Sequence, residues 1–181
     1  MSRTVLSLLL AGALGLIGFS SCVNEPDYPD TPNISFSGVE QYTKRNPQNA
    51  LYDSLVLIVH YEDGDGDLGL SATDPADSEG PFASGQKYNN NFFSTLSKKV
   101  NGQYQPILVN NTPIVYNGRF PRISTTGLTE PLEGDIRYGL TIFSNSAVRP
   151  GDTLRFDIQV VDRALHESQK IVSSDIIMFS K

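Results

Sequence analysis

The chain has 181 residues, a formal net charge of −6 and a single cysteine. The negative charge argues against nucleic acid as a partner and against adhesion to anionic lipid headgroups, because both require lysine and arginine to face phosphate groups. One cysteine cannot form a disulfide within the chain, so an exported domain of this length would depend on its own hydrophobic core.

The start of the chain has the composition of a secretion signal. Arg3 supplies a basic residue, an apolar stretch runs from Val5 to Phe19, and two serines precede Cys22. About 15 apolar residues would reach only ~22 Å as a helix, which is short of the ~30 Å hydrocarbon core of a bilayer. A signal peptide over residues 1–21 is therefore favoured over the alternative, an uncleaved transmembrane anchor.

Cys22 closes the string FSSC, which resembles the lipobox of bacterial lipoproteins. The resemblance implies that Cys22 becomes the lipid-bearing first residue of the mature protein. Residues 22–32 would then form a Pro-rich tether, because the three prolines of NEPDYPDTP cannot donate to a sheet or enter a helix interior. Acidic residues directly after the cysteine resemble a signal used in the Bacteroidetes phylum for display on the outer face of the outer membrane.

Residues 33–181 show the periodicity of strands and no convincing helical spacing. Candidate strands lie at 34–36, 53–61, 92–100, 104–109, 136–143, 154–161 and 171–179. The run at 53–61 is continuously apolar, as in a strand covered on both faces. Asn101-Gly102 predicts a two-residue hairpin turn. About seven short strands predict an all-β fold, an antiparallel β-sandwich.

Residues 148–168, VRPGDTLRFDIQVVDRALHES, resemble the exit of strand E, strand F and the FG loop of fibronectin type III and other immunoglobulin-like domains. The resemblance implies an immunoglobulin-like sandwich in which residues 53–61 are strand B and residues 154–161 are strand F. The loops after these two strands leave the same end of such a sandwich. We therefore expect Asp162 to lie near Asp63.

The most distinctive chemical feature is the acidic loop YEDGDGDLGL at residues 61–70. Its aspartates alternate with glycines, which let the backbone curl so that every second carboxylate points to one centre. Converging carboxylates repel each other, and hard oxygen ligands in a flexible loop suit Ca²⁺. The alternative is a solvated Asp-Gly turn that keeps a sheet edge charged. The predicted Ca²⁺ ligands are Asp63, Asp65, Asp67, Asp74 and Asp162.

The sequence contains little that is typical of a catalytic site. The chain has no GxSxG, HExxH or phosphate-binding glycine motif. His60 is expected to be structural, and His166, Glu167 and Ser168 have the spacing of a polar loop, although they could be drawn as a catalytic group. We therefore predict that the protein is not an enzyme. The long polar segment 71–91 is expected to be either a binding surface or disordered. Tyr88, Phe92 and Phe93 could stack on a sugar, but an alternation of the two phenylalanines into and out of a sheet is the simpler interpretation.

The chain as a whole resembles uncharacterised exported lipoproteins of the Bacteroidetes with an immunoglobulin-like domain. The resemblance is carried by FSSC, the tether, PNISF, DGDGDLGL and VVDRALHES. The resemblance implies an outer-membrane lipoprotein of the cell envelope and brings no activity with it. We predict a lipid-anchored, noncatalytic binding or structural module, stabilised by calcium, with a protein or glycan as ligand. The alternatives are a carbohydrate-binding accessory lipoprotein of a glycan-uptake system and an enzyme with an unrecognised carboxylate site.

Overall fold

The fold is known from a computed structural model that describes residues 26–124 and 126–181. This part of the chain is all-β and antiparallel, as predicted, and forms a β-sandwich. Six strands have four or more residues: β1 (Asn33–Arg45), β2 (Leu51–Asp63), β3 (Phe92–Val100), β4 (Gln103–Pro106), β7 (Leu132–Phe143) and β8 (Thr153–Val160). Four have two residues each: β5 (Leu108–Val109), β6 (Thr112–Pro113), β9 (Ile171–Val172) and β10 (Ile176–Ile177).

The strand order is that of an immunoglobulin-like sandwich. One sheet of the sandwich has the order β1-β2-β7, and the facing sheet has the order β10-β8-β3-β4, with β9 also paired to β8, while β5 and β6 form a separate two-stranded ladder. These orders correspond to strands A-B-E and G-F-C-C′, so β2 is strand B and β8 is strand F, as the sequence predicts. Because β9 and β10 share the position of strand G, the seven expected positions are filled.

The predicted hairpin joins β3 to β4. Val100 pairs with Gln103, and the two turn residues between them, Asn101 and Gly102, have φ angles of 52° and 82°. A type I′ turn needs this left-handed backbone at both central positions, which asparagine and glycine tolerate better than other residues.

The core lies between the two sheets and follows the predicted alternation. Leu154, Phe156, Ile158 and Val160 of β8 are all fully buried. Each such side chain contributes about 1.5–3 kcal/mol relative to an exposed one. From the opposite sheet, β2 contributes inward residues at every second position, Leu55, Leu57 and Val59.

Strand β2 differs from the prediction that both of its faces are covered. Its outward residues Val56 and Ile58 are only half-buried. Their neighbours across the sheet include Gly139 and Gly38, which have no side chains with which to cover them. The continuous apolar run therefore reflects a central strand whose outer face is partly shielded, not a strand between two layers.

The polar segment 71–91 contains three 3₁₀ turns, Pro75–Ser78, Gly80–Phe82 and Lys87–Asn89. Nowhere in residues 26–124 and 126–181 is there a helix with the length and apolar character needed to cross a membrane. Phe92 is buried and stacks on Tyr138 with ring centroids 4.0 Å apart, while Phe93 is half-buried. The predicted signal peptide and Cys22 lie outside the described residues.

Candidate metal centre

The acidic loop begins at the end of β2, where the inward-facing alternation of the strand ends on a carboxylate. Asp63 occupies the inward position that follows Val59 and Tyr61, and it pairs in register with Leu132 at the start of β7. The Asp63 side chain is fully buried. The strand therefore carries a charged group into the end of the core.

Two leucines hold the acidic loop against the sandwich. Leu68 is completely buried and Leu70 nearly so. The Leu68 carbonyl accepts the backbone N–H of Ile123 at 3.1 Å, and the Leu70 N–H donates to the Phe120 carbonyl at 3.0 Å. The loop is thus paired with segment 120–123, and its aspartates lie at a fixed place on the fold.

Glycine is required in the acidic loop for close backbone approach. A Cβ atom added at Gly64 would lie 2.2 Å from the Tyr28 carbonyl oxygen, and one at Gly66 would lie 2.5 Å from the Glu130 carbonyl oxygen. The Gly64 N–H donates to the Pro29 carbonyl at 2.9 Å. The tether, in its described part, therefore packs directly on the acidic loop.

Three carboxylates converge in this loop. Asp63, Asp65 and Asp67 each offer one oxygen, and these oxygens all lie within 4.8 Å of one another. Three buried carboxylate oxygens of this loop have no hydrogen-bond partner among residues 26–124 and 126–181, and they are Asp63 Oδ1, Asp63 Oδ2 and Asp65 Oδ1. A buried polar group without a partner is costly, and a buried charge more so. We call Asp63, Asp65 and Asp67 the acidic triad.

The electrostatics of the acidic triad are unfavourable for three negative charges. Burial, followed by the charges of Asp65, Asp67 and Asp162, raises the pKa of Asp63 to about 7. The Leu68 amide opposes this shift, although it makes no hydrogen bond of normal geometry to the carboxylate. Burial and the Asp65 charge also raise the pKa of Asp67. A cation bound between these groups would remove the repulsion.

The turn after β8 approaches the acidic triad, as the predicted topology requires. Asp67 accepts the N–H of Ala164 at 2.9 Å and that of Arg163 at 3.4 Å. Asp162 is buried, and its charge is close enough to raise the pKa of Asp63. Its oxygens accept the His166 N–H at 2.7 Å and contact His166 Nδ1 at 2.9 Å. Asp162 therefore lies beside the triad but is already bonded to its own turn.

Asp74 has different partners. Its Oδ1 caps the first 3₁₀ turn by accepting the Ala76 N–H at 3.0 Å, and its Oδ2 accepts from Arg122 Nη2 at 2.7 Å. Arg122 also donates to the buried Asp77 through Nε at 2.8 Å. The structure thus brings Asp63, Asp65 and Asp67 together, places Asp162 nearby and leaves Asp74 outside the triad.

The sequence analysis missed Asp77, Arg119 and Arg122, which fix the segment after the acidic loop. Arg119 Nη2 donates to the carbonyls of Asp77 at 2.7 Å and Ser71 at 3.2 Å. Burial alone would raise the pKa of Asp77, but the hydrogen bonds from Arg122 and the Ser71 N–H lower it below the ordinary value. No lysine or arginine lies between Arg45 and Lys87, and this gap is a signal that could have indicated that cations from elsewhere in the chain pair with the acids.

A cavity of about 340 Å³ opens beside the acidic triad. Asp65 and Asp67 belong to both the triad and the cavity wall. The Arg163 side chain also lies on the wall, and its single hydrogen bond within the described chain is a 3.5 Å contact from Nη1 to the Gly69 carbonyl. The remaining described wall residues are Gly66, Arg122, Ser124, Gly127, Leu128 and Thr129.

The two histidines lie in separate surroundings. His60 Nδ1 is 3.3 Å from Asp135 on the outer face of the first sheet. Near His166, Glu167 pairs with Lys87, and the buried Ser168 hydroxyl donates to the Gln169 carbonyl. These three consecutive residues therefore bond to different parts of the fold and do not converge on one point.

Comparison with known proteins adds no relative from which a role could be transferred. No protein-family model matches the chain, and no curated protein matches it significantly. The arguments about function therefore depend on the residues and their geometry.

Proposed function

We propose that the protein is a noncatalytic module of the cell envelope whose acidic triad binds Ca²⁺ and thereby stiffens one end of the sandwich. The observation that carries the proposal is Asp63, which is fully buried with two oxygens that lack partners in the described chain. The three converging oxygens lie within 4.8 Å of one another, and two unit charges at that limit repel by roughly 3–4 kcal/mol at an effective dielectric constant of 20. A divalent cation would convert this repulsion into attraction.

Ca²⁺ fits the donors better than other common metals do. All three converging atoms are carboxylate oxygens, which are hard ligands. Mg²⁺ demands near-ideal octahedral geometry and gives up its bound water molecules reluctantly, whereas Ca²⁺ accepts six to eight oxygens in variable geometry. A loop with glycines at alternate positions suits the more permissive ion.

Thermal unfolding of the purified protein in EDTA, in millimolar CaCl₂ and in millimolar MgCl₂ tests this proposal. A ligand of the native state at about 100 times its dissociation constant adds about 2.7 kcal/mol to the free energy of unfolding. We expect Ca²⁺ to raise the melting temperature by several degrees and Mg²⁺ to raise it less. An Asp135→Asn variant, which removes an exposed carboxylate outside the triad, is the matched control and retains the response. A melting temperature that Ca²⁺ leaves unchanged rules the ion site out.

The cellular location is part of the same proposal and is supported by the FSSC string alone. We propose that Cys22 carries acyl chains that hold the protein on the outer membrane. Membrane fractionation of cells that express the wild-type protein or Cys22→Ala tests this anchor. The wild-type protein is expected in the membrane fraction and the variant in the soluble fraction, and a variant that remains on the membrane contradicts it.

A further inference from the structure

We infer that the cavity beside the acidic triad binds a neutral polyhydroxylated ligand, a sugar, whose adjacent hydroxyls complete the coordination of the bound ion. This inference rests on the proposed ion site and names its ligand. It starts from the shared residues, because Asp65 and Asp67 contribute both to the triad and to the cavity wall. An ion held by the triad is therefore adjacent to a space that a small molecule can enter.

The triad alone does not fill the coordination sphere of calcium. One oxygen from each of three residues meets at the centre, which leaves about three to five of the six to eight positions that Ca²⁺ takes. The oxygens of Asp67 are in addition shared with the N–H groups of Arg163 and Ala164. Oxygens from water or from a ligand in the cavity would occupy the remaining positions.

The size and lining of the cavity suit one small polar molecule. A volume of about 340 Å³ lies within the ~300–1,000 Å³ typical of small-molecule sites. Arg163 has several N–H donors beyond its one weak contact with Gly69, and the Ser124 and Thr129 hydroxyls on the wall can donate and accept. The exposed Leu128 side chain offers an apolar surface for the C–H face of a sugar ring.

Charge selects a neutral ligand over an anionic one. The two charges of the ion and the charge of Arg163 balance the three ionised carboxylates of the triad, and the buried Asp162 carboxyl group beside them ensures that no positive charge is left over. Arg122 adds no unpaired positive charge to the cavity, because its guanidinium group is already bonded to Asp74 and Asp77. A ligand that carries hydroxyl groups adds no charge to the site, because its oxygens coordinate the ion and its O–H groups donate hydrogen bonds to the carboxylates.

Saturation-transfer NMR on the purified protein with mannose, fucose, galactose and glucose as probes, in millimolar CaCl₂ and in EDTA, tests the inference. We expect saturation transfer to at least one of these sugars in calcium and its loss in EDTA. Leu128→Arg, which fills the cavity without replacing a triad residue, should abolish the sugar signal. Leu108→Arg, at a similarly exposed leucine that does not line the cavity, should preserve it.

Melting curves of the same samples separate this inference from the proposed function. A calcium-dependent rise in melting temperature without any sugar signal overturns the sugar ligand and leaves the ion site intact. A sugar signal that persists in EDTA, survives Leu128→Arg or is displaced by sodium acetate also overturns it. If calcium does not change the melting temperature, the ion site fails and the sugar site fails with it.

Discussion

The Asp67 carboxylate accepts the backbone N–H of Ala164 at 2.9 Å, across 97 residues of sequence. This contact joins the acidic loop after β2 to the turn after β8, so the two sheets are connected at the end where the triad lies. An ion bound by Asp67 would therefore act on both sheets. The site is expected to influence global stability and not only the local order of its loop.

Replacement of Asp63 by asparagine should have opposite effects with and without calcium. In EDTA, Asp63→Asn removes a buried charge, and the new amide can donate to Asp65 or Asp67. The free energy of unfolding of the variant should exceed that of the wild type by about 1 kcal/mol or more. In CaCl₂ it should lose the increase in melting temperature, because the ion has lost a charged ligand. Chemical denaturation in the two buffers measures both effects.

The matched control for this prediction is Asp135→Asn, since Asp135 is about half exposed and lies on β7 outside the triad. It should change stability by less than about 0.5 kcal/mol in either buffer. An Asp63→Asn variant that is less stable than the wild type in EDTA would show that the carboxylate has a structural role independent of any ion.

A methyl group at Gly64 should displace the tether. Its Cβ would lie 2.2 Å from the Tyr28 carbonyl oxygen and 2.9 Å from the Pro29 carbonyl carbon, both of them backbone atoms. Gly64→Ala should therefore cost about 1–3 kcal/mol, as overpacking generally does. Hydrogen exchange should become faster at the amide of residue 64, which donates to the Pro29 carbonyl.

Gly139→Ala provides the comparison, because an added Cβ there meets nothing within 4 Å. It should leave hydrogen exchange at the Gly64 amide unchanged. Equal protection of the amide of residue 64 in both variants would mean that the contact between the tether and the acidic loop tolerates the added methyl group.

The positions of the strands and the convergence of the triad could be predicted from the sequence because both depend on local patterns. Alternation identified the inward face of β8, and Asn101-Gly102 fixed one hairpin. The aspartates at every second position of a glycine-rich loop converge through short-range geometry. The position of Asp162 beside them followed from the resemblance to immunoglobulin-like domains, in which the loops after strands B and F leave the same end of the sandwich.

The place of Asp74 could not be predicted, because it depends on contacts between distant segments. Gly69 has no room for a side chain, since a Cβ there would lie 2.2 Å from the Pro121 carbonyl oxygen. This close approach brings Arg122 to the segment that contains Asp74 and Asp77. Sequence spacing showed several acids near one another but not which of them would meet an arginine.

Asp152 should make stability depend on pH in the acid range. Burial alone would raise its pKa, but the hydrogen bonds from Lys98 and from the Arg149 N–H lower it below the ordinary value. A lowered pKa in the folded state stabilises the fold above the unfolded pKa of about 3.9, and this contribution is lost as the pH falls through the folded pKa. Asp152→Asn should therefore be less stable than the wild type at pH 6, and the difference should shrink towards pH 2.

Urea denaturation at intervals between pH 6 and pH 2 measures this difference. Lys98→Met, which removes the ammonium group 2.6 Å from Asp152 Oδ2, should show the same convergence with the wild type at low pH. A difference between Asp152→Asn and the wild type that is constant over this range would show that the stabilisation does not come from the ionised carboxylate.

Asp53 should be the carboxylate whose loss costs the most stability outside the triad. It is fully buried and accepts hydrogen bonds from Gln41 Nε2 at 2.7 Å, Thr43 Oγ1 at 2.6 Å and the Phe179 N–H at 2.7 Å. It thus joins β1, β2 and the C-terminal segment. Asp53→Ala leaves three donors without this acceptor and should lower the free energy of unfolding by about 3 kcal/mol or more.

Asp135→Ala, at an exposed site on β7, should cost less than about 0.5 kcal/mol. Hydrogen exchange at the Phe179 amide should accelerate in Asp53→Ala alone, because the bond to Asp53 is what protects it; equal exchange in both variants would contradict this role.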